Sequence, residues 1–262
     1  MDNSIDLKNK NVLVTGGSQG IGAAICRAMA SCGANVVVNY LDNKQTAETL
    51  ATELQSQYGI KALICQADIA DQKAVLQMFE FIDNNLDKID ILVNNAGCET
   101  IGHAINLSLD EWDLIFNVNL KGAFICAQEA GKRMVKQNSG VIINISSIHD
   151  KVPRKGLVHY CASKAAMNMM TRCLALELAE NNIRVVTVSP GAIETEMNKS
   201  EIEKFGREKF NKWIPMGRIG IAEDVAWTCA FLASNKAAYY TATEIYIDGG
   251  YKENTIPYDP RP

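Results

Sequence analysis

Two side chains in the middle of the chain have the spacing of an acid–base pair. Tyr160 and Lys164 lie four residues apart in the segment YCASK, and Ser147 precedes Tyr160 by thirteen residues. Because side chains at positions i and i+4 share one face of a helix, the ammonium group of Lys164 can stabilise the phenolate of Tyr160 and lower the pKa of the phenol from about 10. A phenol with a lowered pKa is a general base at neutral pH. This pattern predicts proton abstraction by Tyr160.

A glycine-rich segment near the N-terminus predicts a dinucleotide site. Residues 15–22 read TGGSQGIG and follow the apolar run NVLV. Glycine lets the backbone approach a pyrophosphate closely, and the start of a helix offers free N–H groups and a favourable dipole. The spacing G-x-x-x-G-x-G differs from the G-x-G-x-x-G of other dinucleotide-binding proteins, and a plain tight turn is the alternative interpretation. The predicted contacts are Gly16, Ser18, Gln19, Gly20, Ile21 and Gly22. A base beside a dinucleotide predicts alcohol oxidation or, in reverse, carbonyl reduction.

The composition is that of an ordinary globular protein. Of the 262 residues, 47% are hydrophobic and 21% are charged, which fits one large α/β domain. The net charge of −4 gives no electrostatic reason to expect a nucleic-acid partner, and no apolar run approaches the roughly 18 residues of a membrane helix. The polar N-terminus is unlike a secretory signal. We therefore expect a cytoplasmic protein with a small-molecule substrate and with neither nucleic acid nor membrane as a partner.

The cysteines and histidines give no sign of a metal site. The eight cysteines show no C-x-x-C spacing, and several lie in apolar stretches. We expect them to be reduced and buried. The chain has only three histidines, so no metal ligands are predicted.

Short apolar runs rich in β-branched residues alternate with longer helical patterns. This alternation predicts a single Rossmann-type, doubly wound α/β domain over residues 1–262, with a seven-stranded parallel sheet and helices on both faces. The predicted strands are 11–15, 35–40, 61–66, 89–94, 140–146, 184–189 and 244–247. The predicted helices lie near 20–32, 43–58, 71–85, 110–137, 159–181 and 222–234.

Two segments depart from this alternation. Residues 196–214 form a charged, amphipathic insert after the sixth strand. At that edge of the sheet the insert is either a lid over the substrate or a solvated surface helix. Residues 251–262 contain three prolines and are predicted to be non-helical, either as a frayed end or as an arm on a neighbouring subunit.

Further cofactor contacts are expected where the strands end, because ligands of open α/β sheets bind at the carboxyl ends of strands. Asp68 could instead be the N-cap of a helix, and each of the other strand-end segments named below could be an ordinary loop. Their common position at strand ends makes them informative. The predicted contacts are Tyr40, Leu41, Asp68, Ile69, Asn95, Ala96, Gly97, Pro190, Gly191, Ile193 and Thr195.

Together these motifs resemble the short-chain dehydrogenase/reductase family, over essentially the whole chain. The resemblance is carried, in the family's order and spacing, by residues 15–22 and 94–97, by Asn119, Ser147, Tyr160 and Lys164, and by Pro190-Gly191. Within the family, the segments 94–99, 146–153, 158–160, 214–217 and 248–250 resemble the bacterial glucose 1-dehydrogenase subgroup.

The resemblance implies a role for each of four residues. Tyr160 takes the proton of the substrate hydroxyl, and Ser147 binds the reacting oxygen. Lys164 lowers the pKa of Tyr160 and also holds the nicotinamide ribose. Asn119 opens a break in the 110–137 helix and positions a water molecule that links Lys164 to solvent. Alternatively, Ser147 is a turn residue at a strand end, and Asn119 is a mid-helix polar residue satisfied by the backbone.

The substrate predicted from the subgroup is a sugar, with Glu99 and His149 binding its hydroxyl groups. The alternative for these two residues is exposure on surface loops. A carbonyl reductase, such as a 3-oxoacyl-acyl-carrier-protein reductase, also stays open, because Lys151, Arg154 and Lys155 form a basic cluster that could meet an acidic partner.

Cofactor choice is ambiguous at the end of the second strand. The family's NAD-selecting acid is replaced by Tyr40, its NADP-selecting Arg is replaced by Leu41, and Asp42 follows. We therefore expect the use of either NAD or NADP, with Lys44 as a weak phosphate contact.

Small residues along helices 110–137 and 159–181, and the exposed edge of the last strand, predict a homotetramer.

Overall fold

A seven-stranded sheet forms the centre of the computed structural model, which describes residues 5–254. The strands are β1 (Asn11–Val14), β2 (Asn35–Tyr40), β3 (Ala62–Gln66), β4 (Ile91–Asn94), β5 (Gly140–Ile145), β6 (Ile183–Pro190) and β7 (Glu244–Ile247). Their spatial order is β3-β2-β1-β4-β5-β6-β7, and each neighbouring pair is parallel. The predicted parallel sheet is confirmed. Chain order reverses between β1 and β4, and the crevice where ligands of such sheets bind lies at that reversal.

Helices cover both faces of the sheet, as predicted. They are α1 (Gly20–Ser31), α2 (Lys44–Tyr58), α3 (Gln72–Asn85), α4 (Leu109–Phe116), α5 (Ala123–Gln137), α6 (Val158–Leu178), α7 (Glu196–Phe205), α8 (Arg207–Trp213) and α9 (Ala222–Ala233). Successive strand residues point to opposite faces. Val12 and Val14 therefore pack into the core shared with α1, α2 and α9, while Leu13 packs into the core shared with α3, α5 and α6.

Helix boundaries follow local capping chemistry. The Asp71 side chain accepts a hydrogen bond from the Lys73 N–H at 2.8 Å, and Ser108 forms a capping box with Glu111. Gly59 ends α2 in the left-handed conformation, with a φ of 65°. Both N-caps and this C-cap match the expectation from residue type.

Two predicted elements differ in the structure. The helix predicted over 110–137 is divided by a π-helical segment, Asn117–Gly122, between α4 and α5. The tail predicted to be non-helical begins with a 3₁₀ turn, Tyr251–Glu253. That turn forms because the Asp248 carboxylate accepts hydrogen bonds from the N–H groups of Gly250 and Lys252. The prolines, which lie within 255–262, are outside the described residues.

The cysteines match the expectation only in part. All eight are free thiols. Cys26, Cys126 and Cys229 are buried, but Cys173 is exposed, because it lies on the outer side of α6. Over residues 5–254, no helix has the length and apolar content needed to cross a membrane.

Candidate active site

A cavity of about 1040 Å³ lies at the carboxyl ends of the strands. All the predicted cofactor contacts except Lys44 line it, and so do Ser147, Glu99 and His149. Of the other predicted site residues, Asn119 lies outside the lining. The sheet therefore collects residues from seven separate segments of the chain at one edge.

The glycine turn between β1 and α1 has a shape that accommodates a pyrophosphate. Gly16 and Gly20 have φ values of 58° and 54°, a region that side-chain-bearing residues rarely adopt. A Cβ atom on Gly22 would lie 2.3 Å from the Gly16 carbonyl oxygen, so the turn closes only around glycine. Within the described residues, Gln19 at the N-cap of α1 makes no side-chain capping hydrogen bond. The first-turn N–H groups are therefore placed to bind an anion.

Side chains from neighbouring strands hold this turn in place. The Thr15 hydroxyl accepts hydrogen bonds from the N–H groups of Asn95 and Ala96, both at 3.0 Å. The side-chain oxygen Oδ1 of Asn39 accepts from the Gly16 N–H at 3.1 Å, and the side-chain amide of Asn39 donates to the Ala67 carbonyl at 3.1 Å. The sequence reasoning missed Asn39. Its signal is an amide that follows three consecutive valines inside the strand NVVVNY.

Tyr160 and Lys164 face the cavity from the first turns of α6. The Lys164 Nζ atom lies 5.6 Å from the centre of the Tyr160 ring and donates to the Ile145 carbonyl at 3.0 Å. Ser147 follows β5, and its side chain is hydrogen-bonded to Tyr160. The helix spacing therefore brings together the three side chains that the sequence paired.

The electrostatics of this group differ from the prediction. Burial raises the pKa of the Tyr160 phenol, the Glu99 carboxylate raises it further, and the hydrogen bond with Ser147 opposes them. Burial lowers the pKa of Lys164 to about 8. The predicted fall in the Tyr160 pKa is therefore not produced by this environment, because at this separation the ammonium group does not offset the cost of burying a phenolate. Of the two groups, the Lys164 ammonium has the pKa closer to neutral pH.

Asn119 is fully buried in the π-helical segment. Its side-chain oxygen Oδ1 accepts from the Cys98 N–H at 2.9 Å, and its side-chain amide donates to the Cys98 carbonyl at 3.0 Å. A Cβ atom on Gly97 would lie 3.2 Å from the Asn119 oxygen and 3.6 Å from the Lys164 Nζ atom. Asn119 thus breaks the helix and is satisfied by backbone groups, which agrees with both interpretations of its role. The bridging water remains a prediction.

Glu99 and His149 are both half-buried at the cavity. The His149 Nδ1 atom lies 2.8 Å from the Val152 carbonyl oxygen, and its ring centre is 6.3 Å from that of Tyr160. Neither residue is an exposed loop side chain, so the structure does not support that alternative. Their contact with a substrate remains a prediction.

The insert predicted as a lid or surface helix forms α7 and α8. Its Ile202, Phe205, Phe210 and Trp213 side chains give the cavity an apolar wall, with the rings of Phe210 and Trp213 5.2 Å apart. The sequence reasoning missed this wall, although the aromatic residues inside the charged insert were its signal. Whether the insert closes over a substrate remains a prediction.

Asp68 and Lys44 were expected to contact the cofactor, and both make contacts with neighbouring protein groups. The Asp68 carboxylate accepts from the Ala70 N–H at 2.8 Å while lining the cavity. Lys44, expected to contact a phosphate, pairs with Glu48 at 3.2 Å and does not line the cavity. Of the basic cluster 151–155, Arg154 lines the cavity.

The chain matches a family model and several known proteins over most of its length. The family model described as enoyl-(acyl carrier protein) reductase matches residues 16–252. The 3beta-hydroxysteroid dehydrogenase 1 of Eggerthella lenta is 39% identical over 250 residues, which are 94% of each chain. The 3-oxoacyl-[acyl-carrier-protein] reductase FabG of Staphylococcus aureus is 39% identical over 241 residues, which are 92% of this chain and 97% of that one.

A solved structure of a related dehydrogenase has the same fold. The gluconate 5-dehydrogenase from Burkholderia cenocepacia, crystallised with NADP and tartrate, superposes with a TM-score of 0.90 at 30% identity, covering 95% of this chain and 97% of that one. These relatives share a family but are named for different substrates, so the glucose 1-dehydrogenase resemblance is not specifically supported. The chain belongs to the short-chain dehydrogenase/reductase family of oxidoreductases, and its cofactor is NAD or NADP.

Proposed function

We propose that this oxidoreductase is a sugar dehydrogenase, with the oxidation of glucose to gluconolactone as its leading candidate reaction. The observation that carries the proposal is the position of two polar side chains at the reacting group. Glu99 is close enough to Tyr160 to raise the pKa of its phenol, and His149 packs edge-on to the same ring. A site built from buried acceptors and donors favours a substrate rich in hydroxyl groups, because an unmatched polar group penalises other substrates.

The reaction removes a proton and a hydride from one alcohol carbon and its oxygen. The Ser147 hydroxyl binds the reacting oxygen, and Tyr160 removes its proton. Lys164, with a pKa of about 8, keeps a positive charge beside the ring at neutral pH, which reduces part of the cost of burying the phenolate. NAD or NADP supplies the hydride acceptor.

The dinucleotide is held by the residues that line the strand-end crevice. The turn from Gly16 to Gly22 binds the pyrophosphate, and Asn95, Ala96 and Gly97 lie along the path between the two halves of the cofactor. Lys164 binds the nicotinamide ribose. Tyr40 and Leu41 lie at the end of β2, where the adenosine ribose is read. Neither is charged, so we propose that both NAD and NADP are used.

A second candidate is the reduction of a bulky, apolar carbonyl compound. The wall of Phe205, Phe210 and Trp213, together with the cavity volume of about 1040 Å³, favours a larger apolar substrate. The two curated relatives at 39% identity are named for a hydroxysteroid and a 3-oxoacyl group. A different sugar or polyol is the nearest alternative within the first class.

A substrate panel with two matched variants separates these candidates. Glucose, gluconate, polyols, a 3beta-hydroxysteroid and a 3-oxoacyl thioester are assayed with NAD and with NADP. If sugars are the substrates, Glu99→Gln should lower kcat/KM for glucose by about 10- to 100-fold through one lost charged hydrogen bond, whereas Phe210→Ala should have a small effect. The reverse pattern, or no turnover of any sugar, would favour the apolar candidate.

A further inference from the structure

Two carboxyl groups hydrogen-bond to each other beside the active-site turn. Asp150 and Glu244 are 94 positions apart in the sequence, but their side chains meet. The Asp150 side chain has no exposed surface, and Glu244 is half-buried on β7. An ionised carboxylate can only accept hydrogen bonds. Two carboxyl groups that share one partly buried site disfavour a negative charge on both, which favours a proton on one of them.

The side chains that hydrogen-bond to this pair carry no positive charge. Asp150 accepts from the amide of Asn168 on α6, and the Tyr246 hydroxyl on β7 lies 3.2 Å from both of its oxygens. On β6, the Ser189 hydroxyl donates to Glu244 at 2.6 Å. All three partners are uncharged.

The nearby cations lie at the solvent side of the pair. The Lys151 Nζ atom is 3.8 Å from Asp150, with half of its side chain exposed. The Lys252 Nζ atom lies 4.6 Å from the centre of the Tyr246 ring and is paired with Glu253. Solvent screens Lys151, and Lys252 is already paired with Glu253, so a proton held between the carboxyl groups adds to the local charge balance.

The pair is attached to the catalytic machinery through one short turn. Asp150 ends the 3₁₀ turn Ile148–Asp150, and the Ser147 hydroxyl begins it by accepting from the His149 N–H at 3.2 Å. Asn168 lies one helical turn after Lys164 on α6. Asp150 thus connects the turn that carries Ser147 and His149 to both α6 and β7.

We propose that Asp150 and Glu244 share one proton and that this proton holds the Ser147–Asp150 turn in its catalytic position. Asp150 is a positioning residue that acts through Ser147 and His149. The inference rests on the proposed function only in the role it assigns to these two side chains.

The pH dependence has a defined direction. Burial, followed by the contact with Glu244, raises the pKa of Asp150 from its ordinary value of 3.8 to about 6, while the pKa of Glu244 is lowered. A raised carboxyl pKa stabilises the folded state fully below the ordinary value, and that stabilisation is lost as the pH rises through about 6. Above that pH, two adjacent carboxylates repel and the turn loosens.

The test uses isosteric amides and a buried control. Asp150→Asn and Glu244→Gln each remove the repulsion while keeping hydrogen-bonding groups in place. Asp90→Asn removes a carboxylate that is 5% exposed and paired with Lys10 and Lys88 at the other end of the sheet. For each protein, the melting temperature and the infrared carbonyl band of a protonated carboxyl group are followed from about pH 5 to about pH 8, with no substrate present.

Wild type and Asp90→Asn should show a transition near pH 6 in both signals, and Asp150→Asn should lack it. In turnover, the ratio of kcat/KM between Asp150→Asn and wild type should rise with pH by about tenfold, within the roughly 10²-fold effect of misplacing a catalytic group. Glu244→Gln should give the same result. It therefore tests the proposal even if Asp150→Asn folds poorly. A transition retained in Asp150→Asn, or absent from wild type, would overturn the proposal. If the sugar assay fails but the melting temperature and the infrared band still change near pH 6, the proposed substrate is wrong and the shared proton is still supported.

Discussion

Replacing Gly22 with alanine should disrupt the dinucleotide turn more than it helps the helix. A Cβ atom there would lie 2.3 Å from the Gly16 carbonyl oxygen and 2.6 Å from the Asn95 amide nitrogen, whereas real Cβ contacts begin near 3.0 Å. The Gly16 oxygen must therefore move by about 0.7 Å. Overpacking of this kind costs about 1–3 kcal/mol. The Asn95 amide also loses good geometry in its two 3.0 Å hydrogen bonds, at about 0.5–1.5 kcal/mol each.

The opposing effect is the intrinsic preference of a helix for alanine, about 1 kcal/mol. The net loss of about 1–5 kcal/mol should lower Tm, by about 2–4 °C per kcal/mol for a chain of this size, and should weaken NADH and NADPH binding measured by fluorescence titration. Gly59→Ala is the control for replacing a glycine without a steric clash, because a Cβ there meets nothing within 4 Å, although Gly59 has a positive φ of 65°. It should lose some stability and keep the wild-type dinucleotide affinity. If Gly22→Ala binds dinucleotide as wild type does, the reasoning about the turn is wrong.

Three further predictions concern the cofactor and assembly. Lys164→Ala should weaken dinucleotide binding and lower kcat together, so normal nucleotide affinity in a titration would contradict the dual role of this lysine. Wild type should use both NAD and NADP, and Tyr40→Asp should shift the ratio of their kcat/KM values towards NAD, because a carboxylate repels the 2′-phosphate. If wild type already rejects NADP, Asp42 is the selector instead. Light scattering at micromolar concentration should report four chains per particle, because exposed Leu109, Leu176 and Trp227 provide apolar surface for interfaces; a fully active monomer would refute this.

Local patterns predicted the strands well where apolar runs have clear ends. The bounds of β2 and β7 are those expected from the sequence, because each is a short run rich in apolar and β-branched residues between polar turns. The division of the 110–137 helix depends on the contact between Asn119 and the Cys98 backbone. Helical periodicity contains no information about that contact, and only the family resemblance anticipated the break.

In the candidate site, too, the sequence pattern does not show contacts between distant segments. The spacing of Tyr160 and Lys164 correctly predicted a shared helix face, but the pKa of Tyr160 depends on burial and on Glu99, which spacing does not describe. The meeting of Asp150 with Glu244 depends on the order of the strands in the sheet. Such contacts between distant segments become visible only when the sheet is assembled.

The central claim, that Tyr160 is the general base of a dinucleotide-dependent alcohol oxidation, is tested most directly by Tyr160→Phe. The measurement is kcat for the best substrate of the panel, together with the Kd of NADH or NADPH for the same protein. Removing a general base should lower kcat by about 10²–10⁴-fold, while the dinucleotide Kd should stay near the wild-type value because the phenol hydroxyl contributes little to cofactor binding. A variant that retains more than about a tenth of the wild-type kcat would contradict the account.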